Sequence, residues 1–282
     1  GDVGQGLVLF LGGLFLYKTK KMDLAGIISC AGVFSVFFGF MYGSFFGFED
    51  VLKAIWLKPM NQMMDVPLVG RLNAVFVIAI GFGMFIILIC MVFNIINSIR
   101  RGDTEKTWFD SNAVAGLVFY GSIVLTIGLF ISGKKLPAAA ILVIMFGVPL
   151  LLMFLKEPLT NLVEKKSEIL PEQKGMFFVQ SFFELFEVLL SYLSNTLSFL
   201  RIGAFAVSHA AMMEVVLMLA GATNGGSPNW IVVVLGNIFV CAMEGLIVGI
   251  QVLRLEYYEI FSRFYAGNGR EFKPFMKAAH KN

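Results

Sequence analysis

The sequence predicts an all-α polytopic membrane protein, and three observations carry that reading. Of its 282 residues 58% are hydrophobic and only 15% charged, with a mean hydropathy of +0.82. A soluble domain is about 45–50% apolar with glycine counted and about a quarter charged, so Lys, Arg, Asp and Glu cannot cover a water-facing surface here. The apolar residues fall in runs near the ~20 that cross a ~30 Å hydrocarbon core as a helix. No run shows the period-2 alternation of a strand, which favours a helical bundle over a β-barrel. A net charge of +3 is too small to imply nucleic acid, and hydrophobicity this high excludes intrinsic disorder.

Seven spans are expected: 3–17, 24–47, 74–99, 113–131, 136–155, 176–221 and 229–263. The first is short, as a cut span would be; with the start Gly-Asp-Val it suggests that one further span precedes it. In the second, Gly39, Gly43 and Gly47 recur every four residues, a spacing that lets helix backbones approach in lipid. Spans one to five carry no ionisable residue in their middles. The last two are too long: 46 residues make about 69 Å of helix and 35 about 52 Å at ~1.5 Å per residue. Such helices must incline steeply or protrude. The chain divides accordingly into a helical bundle over 1–175 and a long-helix pair with its tail over 176–282.

Basic residues orient the bundle. The loops 18–21, 100–112 and 156–175 and the tail 263–282 hold 15 Lys and Arg, and the alternate loops hold 5. The positive-inside rule puts the C-terminus in the cytoplasm.

Chemistry is confined to the two long helices. A charge in mid-bilayer costs about 2.5–3.5 kcal/mol even on the lenient insertion scale, so such residues face protein or water and have a task. Glu187, Ser191, Ser194, Ser198, Arg201 and Ser208 follow helical steps along one face, with Glu184 a turn before them. On the last helix Asn237, Glu244 and Gln251 repeat every seven residues, and Arg254 lies one turn beyond. Histidine is a side chain suited to proton exchange, so a role in ion movement is one reading of His209, and a core histidine hydrogen-bonded to backbone is an equal one. Arginine cannot shed its charge on burial, so Arg201 and Arg254 each need a carboxylate or a wet cavity. A structural salt bridge such as Glu244 with Arg201 is the main competitor. Glu256 and Glu259 read as surface or packing residues. Cys30, Cys90 and Cys241 are far apart in apolar runs, so no disulfide framework, metal site or cofactor is expected. No phosphate-binding glycine motif occurs either. Two polar stripes in a greasy protein point to ion conduction.

The tract YLSNTLSFLRIGAFAVSHAAM at 192–212 resembles the segment around the essential arginine of the a subunit of vacuolar ATPases, called subunit I in archaeal-type rotary ATPases. AMEGLIVGIQVLRLEYYEIFSRFYAGNGREFKPF at 242–275 is similar to that family's last helix and tail, and GDVGQG and FSVFFGFMYGSFFG at 34–47 to its earlier signatures. The resemblance is collinear. It implies the membrane half of a stator subunit with eight spans, catalytically inert itself, working against a rotating ring of proteolipid c/K subunits. It also implies a peripheral stalk and an ATPase head as partners, H⁺ or Na⁺ as the ion, and a prokaryote's plasma membrane as one location. By resemblance Arg201 and Arg254 meet the ring carboxylate and separate two half-channels, while Glu244, Glu187 and His209 line the polar path. Gln251 and Ser191 stand where some relatives carry His and Asn, and can hydrate a path without relaying a proton. Two other readings stay open, a secondary transporter and a structural membrane anchor. No internal repeat supports the first, and purification separates the readings: a rotary partner copurifies with a proteolipid ring and an ATPase head, whereas a transporter works alone.

Overall fold

The computed structural model describes residues 1–48, 51–59, 63–66, 70–135, 137–163, 174–222, 227–265 and 267. The tail read above as cytoplasmic, the end of the tract 242–275, the centre of the loop 221–228 and much of 156–175 lie outside the described residues.

Two helices, α1 (Val3–Lys20) and α2 (Asp23–Tyr42), form an antiparallel hairpin. Asp2 caps α1 by accepting from the Gln5 N–H at 3.0 Å, and Lys18 and Lys20 complement the negative end of its dipole. Glycines bring the two backbones together: a Cβ on Gly39 would lie 2.4 Å from the Val3 nitrogen, and one on Gly32 2.5 Å from that of Phe10. The glycine triplet in the second span divides its labour differently from the expectation. Helix α2 stops at Tyr42, and Gly43 follows in the left-handed region at φ 73°. Its N–H closes on the Gly39 carbonyl at 2.8 Å, as an αL cap requires. Gly47 also has positive φ, at 84°. Gly39 serves the packing of α1 on α2, whereas Gly43 and Gly47 make turns and admit other neighbours, a Cβ there lying 2.6 Å from the Ala54 nitrogen and 2.5 Å from Met213 Cε respectively.

A short hairpin of β1 (Met63–Val66) and β2 (Gly70–Asn73) leads to α3 (Ala74–Arg101), capped by the Asn73 side chain on the Val75 N–H. After α3 come α4 (Thr104–Trp108), α5 (Val114–Ile131), α6 (Ala139–Phe154) and α7 (Lys156–Val163). The α6–α7 pair bends by 74°. Pro158 explains the break: its ring collides with the carbonyl four residues back, at Phe154.

The long pair follows. Helices α8 (Lys174–Ser198) and α9 (Leu200–Leu219) run on as one 45-residue span interrupted only at Phe199. Helix α10 (Trp230–Leu255) continues through a π-helical turn, Glu256–Phe261, into α11 (Ser262–Phe264), 35 residues in all. At about 68 and 52 Å neither fits a ~30 Å slab upright. Among the described residues five helices are long and apolar enough to cross a membrane, six with the bent pair. Helix α1, the remaining segment of the sequence reading, is diluted by Gln5, Lys18 and Lys20.

The interior is assembled on α3. Ile87 and Met91 are fully buried against Phe119 and Tyr120 of α5, Tyr192 of α8 and Phe199. Outward faces are apolar, with Val143, Leu246 and Phe239 each about two-thirds exposed, as lipid-facing side chains are.

Candidate functional site

The site lies where α9 and α10 cross. Gly236 has no Cβ where Val216 sits (2.4 Å from such an atom), so the two helices approach there in antiparallel register, with Met213 and Val240 packed beside them. One turn further, His209 Nδ1 and Glu244 Oε2 meet at 2.7 Å. Both residues are largely buried, yet His209 Nε2 and Glu244 Oε1 have no hydrogen-bond partner. Two turns beyond, Arg201 Nη1 donates to the Gln251 carbonyl at 3.4 Å, and Arg254 follows one turn along α10. Arg201 and His209 of α9 therefore face Gln251 and Glu244 of α10 over about two turns. Glu244 takes His209 as its partner, not Arg201.

The back of α9 is fixed on α3. Phe199 occupies the space a Cβ on Gly83 would need (2.2 Å), and Gly203 lies against Phe76 (2.9 Å from such an atom). That packing holds the half-buried Arg201 toward α10. Its guanidinium has five donors, of which one is used, on an uncharged carbonyl. Among the described residues no carboxylate pairs with Arg201, and the exposed Arg254 has no partner at all.

The remaining candidates spread along α8. Glu187 and Ser191 are exposed, and Ser191 accepts from the Asn195 amide at 3.2 Å. Ser198 donates to the Ser194 carbonyl at 3.0 Å. Glu184 is bound to Lys156 at the start of α7, so its charge is already met.

Two polar residues that sequence reading passed over, Gln5 and Asp2, close the other end of the site, beyond Asn237 of the α10 stripe. Asn237 is buried; it accepts from Gln5 Nε2 at 2.9 Å and donates to the Val233 carbonyl at 2.9 Å. Gln5 also touches Met213 Sδ at 3.4 Å. The Asn237 amide is thus engaged at both its oxygen and its nitrogen. A cavity of about 20 Å³ touches His209 and is lined by Tyr42, Ser44, Pro59, Ala206 and Ala210, room for about one water. Its wall is fixed by Asp2, whose carboxylate accepts from Ser44 Oγ at 2.6 Å and from the Phe46 and Gly47 N–H groups at 2.9 Å each. Burial alone would push the Asp2 carboxyl up; the Ser44 hydroxyl and the Gln5, Gly47 and Phe46 amides outweigh it and hold the group below the ordinary aspartate range. Asp2 and Gln5 had a signal, the D-x-x-Q pattern of a capping box, although Gln5 is spent on Asn237 instead. Among the described residues no group of three or more His, Cys, Asp or Glu could hold a metal.

Residues 156–277 match the V-type ATPase 116 kDa subunit family. The chain is 27% identical to A-type ATP synthase subunit I of Aeropyrum pernix over 97% of its own length and 44% of that protein's. It is 42% identical to the Saccharolobus solfataricus A-type ATP synthase subunit I over 32% of its length and 14% of the relative's. The V-type proton ATPase 116 kDa subunit a 3 of Homo sapiens is 32% identical across 41% of the chain and 15% of that protein. The chain spans less than half the length of each of these relatives. A match over 97% of the chain, and a family match lying over the crossed helices, make the chain similar to the a/I subunits and to the V-type ATPase 116 kDa subunit family.

Proposed function

We propose that this chain is the ion-translocating part of the stator of an A/V-type rotary ATPase. In this reading it catalyses no covalent chemistry; it lets H⁺ or Na⁺ reach a rotating ring of proteolipid carboxylates through two offset half-channels. The observation that carries the proposal is the pair of guanidiniums, Arg201 on the Gln251 carbonyl and Arg254 one turn along α10 from Gln251, neither paired with a carboxylate among the described residues. An arginine at membrane depth needs an anion, and a moving ring carboxylate supplies one.

The chemistry follows from charge. A carboxylate crosses lipid cheaply only when neutralised by its ion. Beside Arg201 and Arg254 the bare carboxylate is favoured, so the ion leaves into one half-channel. Past the arginines the carboxylate must take up another ion before it re-enters lipid. Two fixed charges on separate helices widen this zone and repel any cation that would short-circuit the channels. At 100 mV each leaked charge wastes about 2.3 kcal/mol.

The half-channels are assigned by exposure and burial. His209 and Glu244, with their unpartnered Nε2 and Oε1, serve the outer path, fed by water through the cavity beside Tyr42 and Ser44. Glu187, Ser191 and Ser198 on α8, with Gln251 on α10, serve the inner one; Glu184 lies at its mouth, tethered to Lys156. Residues 1–175 then brace the conducting pair within 176–282. The C-terminus faces the cytoplasm, and in a prokaryote the membrane is the plasma membrane. Purification of the full-length subunit under gentle conditions tests the assignment. Copurification of a small-subunit ring, a peripheral stalk and an ATPase head is expected, and transport by the subunit alone would overturn it.

A further inference from the structure

Arg263 lies at the far end of the last helix and is 6% exposed, although it is a charged residue near a chain end. Its Nη1 donates to Asn112 Oδ1 at 2.9 Å, its Nε to the Glu259 carbonyl at 3.2 Å, and its guanidinium stands 5.9 Å from the centre of the Tyr192 ring. Asn112 follows α4, and its own carbonyl accepts from Asn94 of α3 at 3.0 Å. The Tyr192 hydroxyl donates to the Ser111 carbonyl in the same loop. One guanidinium thus ties the end of the last helix to α3, to the α4–α5 loop and to α8.

The backbone is adapted to this clamp. Leu255, Glu259 and Arg263 are the buried residues of this stretch, at 5%, 4% and 6% exposure. Steps of four residues drift by about 40° each on an α-helix of 3.6 residues per turn, so three such residues spread over about 80° of the helix surface. The π-helical turn Glu256–Phe261 lies between them, and its wider i→i+5 turn takes up the drift. Arg254 adjoins Leu255, the first residue of the inward stripe, and is itself exposed.

We propose that Arg263 is a positioning residue for the translocation step: its clamp on Asn112 and Tyr192 fixes the rotation of the last turns of α10, and so the direction in which Arg254 faces the ring. This inference rests on the function proposed above. Arg263 touches neither ion nor ring; it acts through helix rotation, which charge alone does not supply.

The test uses the full-length subunit in its reconstituted complex, with Arg263→Ala, Arg263→Lys and Asn112→Ala. Ions taken up per ATP hydrolysed are measured, normalised to assembled complex, together with the distance distribution between spin labels at Lys106 and Glu256. Expected are a several-fold fall in ions per ATP in Arg263→Ala and Asn112→Ala and a broadened label distance in both. Arg263→Lys should recover only part of the coupling, and the Arg263→Ala/Asn112→Ala double variant should be no worse than Arg263→Ala alone. Normal coupling in assembled Asn112→Ala or Arg263→Ala complexes overturns the proposal, as does lost coupling with an unchanged label distance. Should Arg263→Ala fail to assemble, Asn112→Ala, which leaves the charge in place, decides. An Arg201→Ala control separates the two levels: normal uptake there contradicts the proposed function, whereas the label distances still report on the clamp.

Discussion

His209 and Glu244 meet at 2.7 Å across the α9–α10 crossing, each with its other polar atom buried and unpartnered. A buried pair left half-satisfied is an expensive way to hold two helices together, since each orphaned group costs about 1–3 kcal/mol. In the proposed function, water or an ion in transit would meet that need. Glu244→Gln keeps shape and hydrogen bonding while removing the charge. It is expected to lower ATP-driven uptake several-fold in complexes that assemble normally, measured in proteoliposomes beside a subunit inventory. Lost assembly without a transport defect in the remaining complex would mark the pair as structural.

Asp2 supports the wall of the neighbouring cavity through four hydrogen bonds. Asp2→Asn should cost about 1–3 kcal/mol of stability, seen as a lower melting temperature of the detergent-purified protein. The Asp2 carboxyl is held below its ordinary range in the folded state, so its contribution is complete above that range and fades as pH falls through the depressed folded value. The gap between wild type and Asp2→Asn should therefore narrow on strong acidification. A gap independent of pH would contradict the assignment.

Glycines on the α1–α2 hairpin should divide by contact. A Cβ at Gly39 would fall 2.4 Å from the Val3 nitrogen, whereas one at Gly12 would meet nothing within 4 Å. Gly39→Ala is expected to destabilise by about 1–3 kcal/mol, and Gly12→Ala to leave the melting temperature unchanged or raise it. Equal effects at both positions would disprove the backbone contact.

Much of this was legible in the sequence because the bilayer makes polarity conspicuous. The expected long segments 176–221 and 229–263 correspond to Gly175–Leu219 and Trp230–Phe264, since in a membrane apolar length and helix length nearly coincide. Arg201 and Arg254 stand out for the same reason: the other 20 of the 22 Lys and Arg fall in the loops and the tail. Pairing was less visible. Helical period places Glu244 on a face but does not say whether His209 or Arg201 lies opposite, because register between helices is set by contacts such as Gly236 against Val216. Asn237 looked like part of an open path; only the three-dimensional arrangement brings Gln5, 232 residues away, onto its amide. The buried position of Arg263 had no signal, for a basic residue near the end of a last helix ordinarily serves the helix dipole or the cytoplasmic surface.

The loop asymmetry, 15 Lys and Arg against 5, leads to a topology that labelling can check. Single cysteines at Ser227 and Lys277, in a background without Cys30, Cys90 and Cys241, should react with impermeant reagent from outside and from the cytoplasmic side respectively. The reverse pattern would invert the orientation and with it the assignment of the half-channels.

The central claim is that Arg201 is the fixed charge that strips the ion from a ring carboxylate. ATP-driven ion uptake by reconstituted Arg201→Ala complex, with ATP hydrolysis and subunit content measured on the same preparation, tests it most directly. The account predicts an assembled complex without coupled uptake, and severe impairment in Arg201→Lys, whose ammonium lacks the planar fork of guanidinium. Near-normal coupled uptake by the Arg201→Ala complex would contradict it.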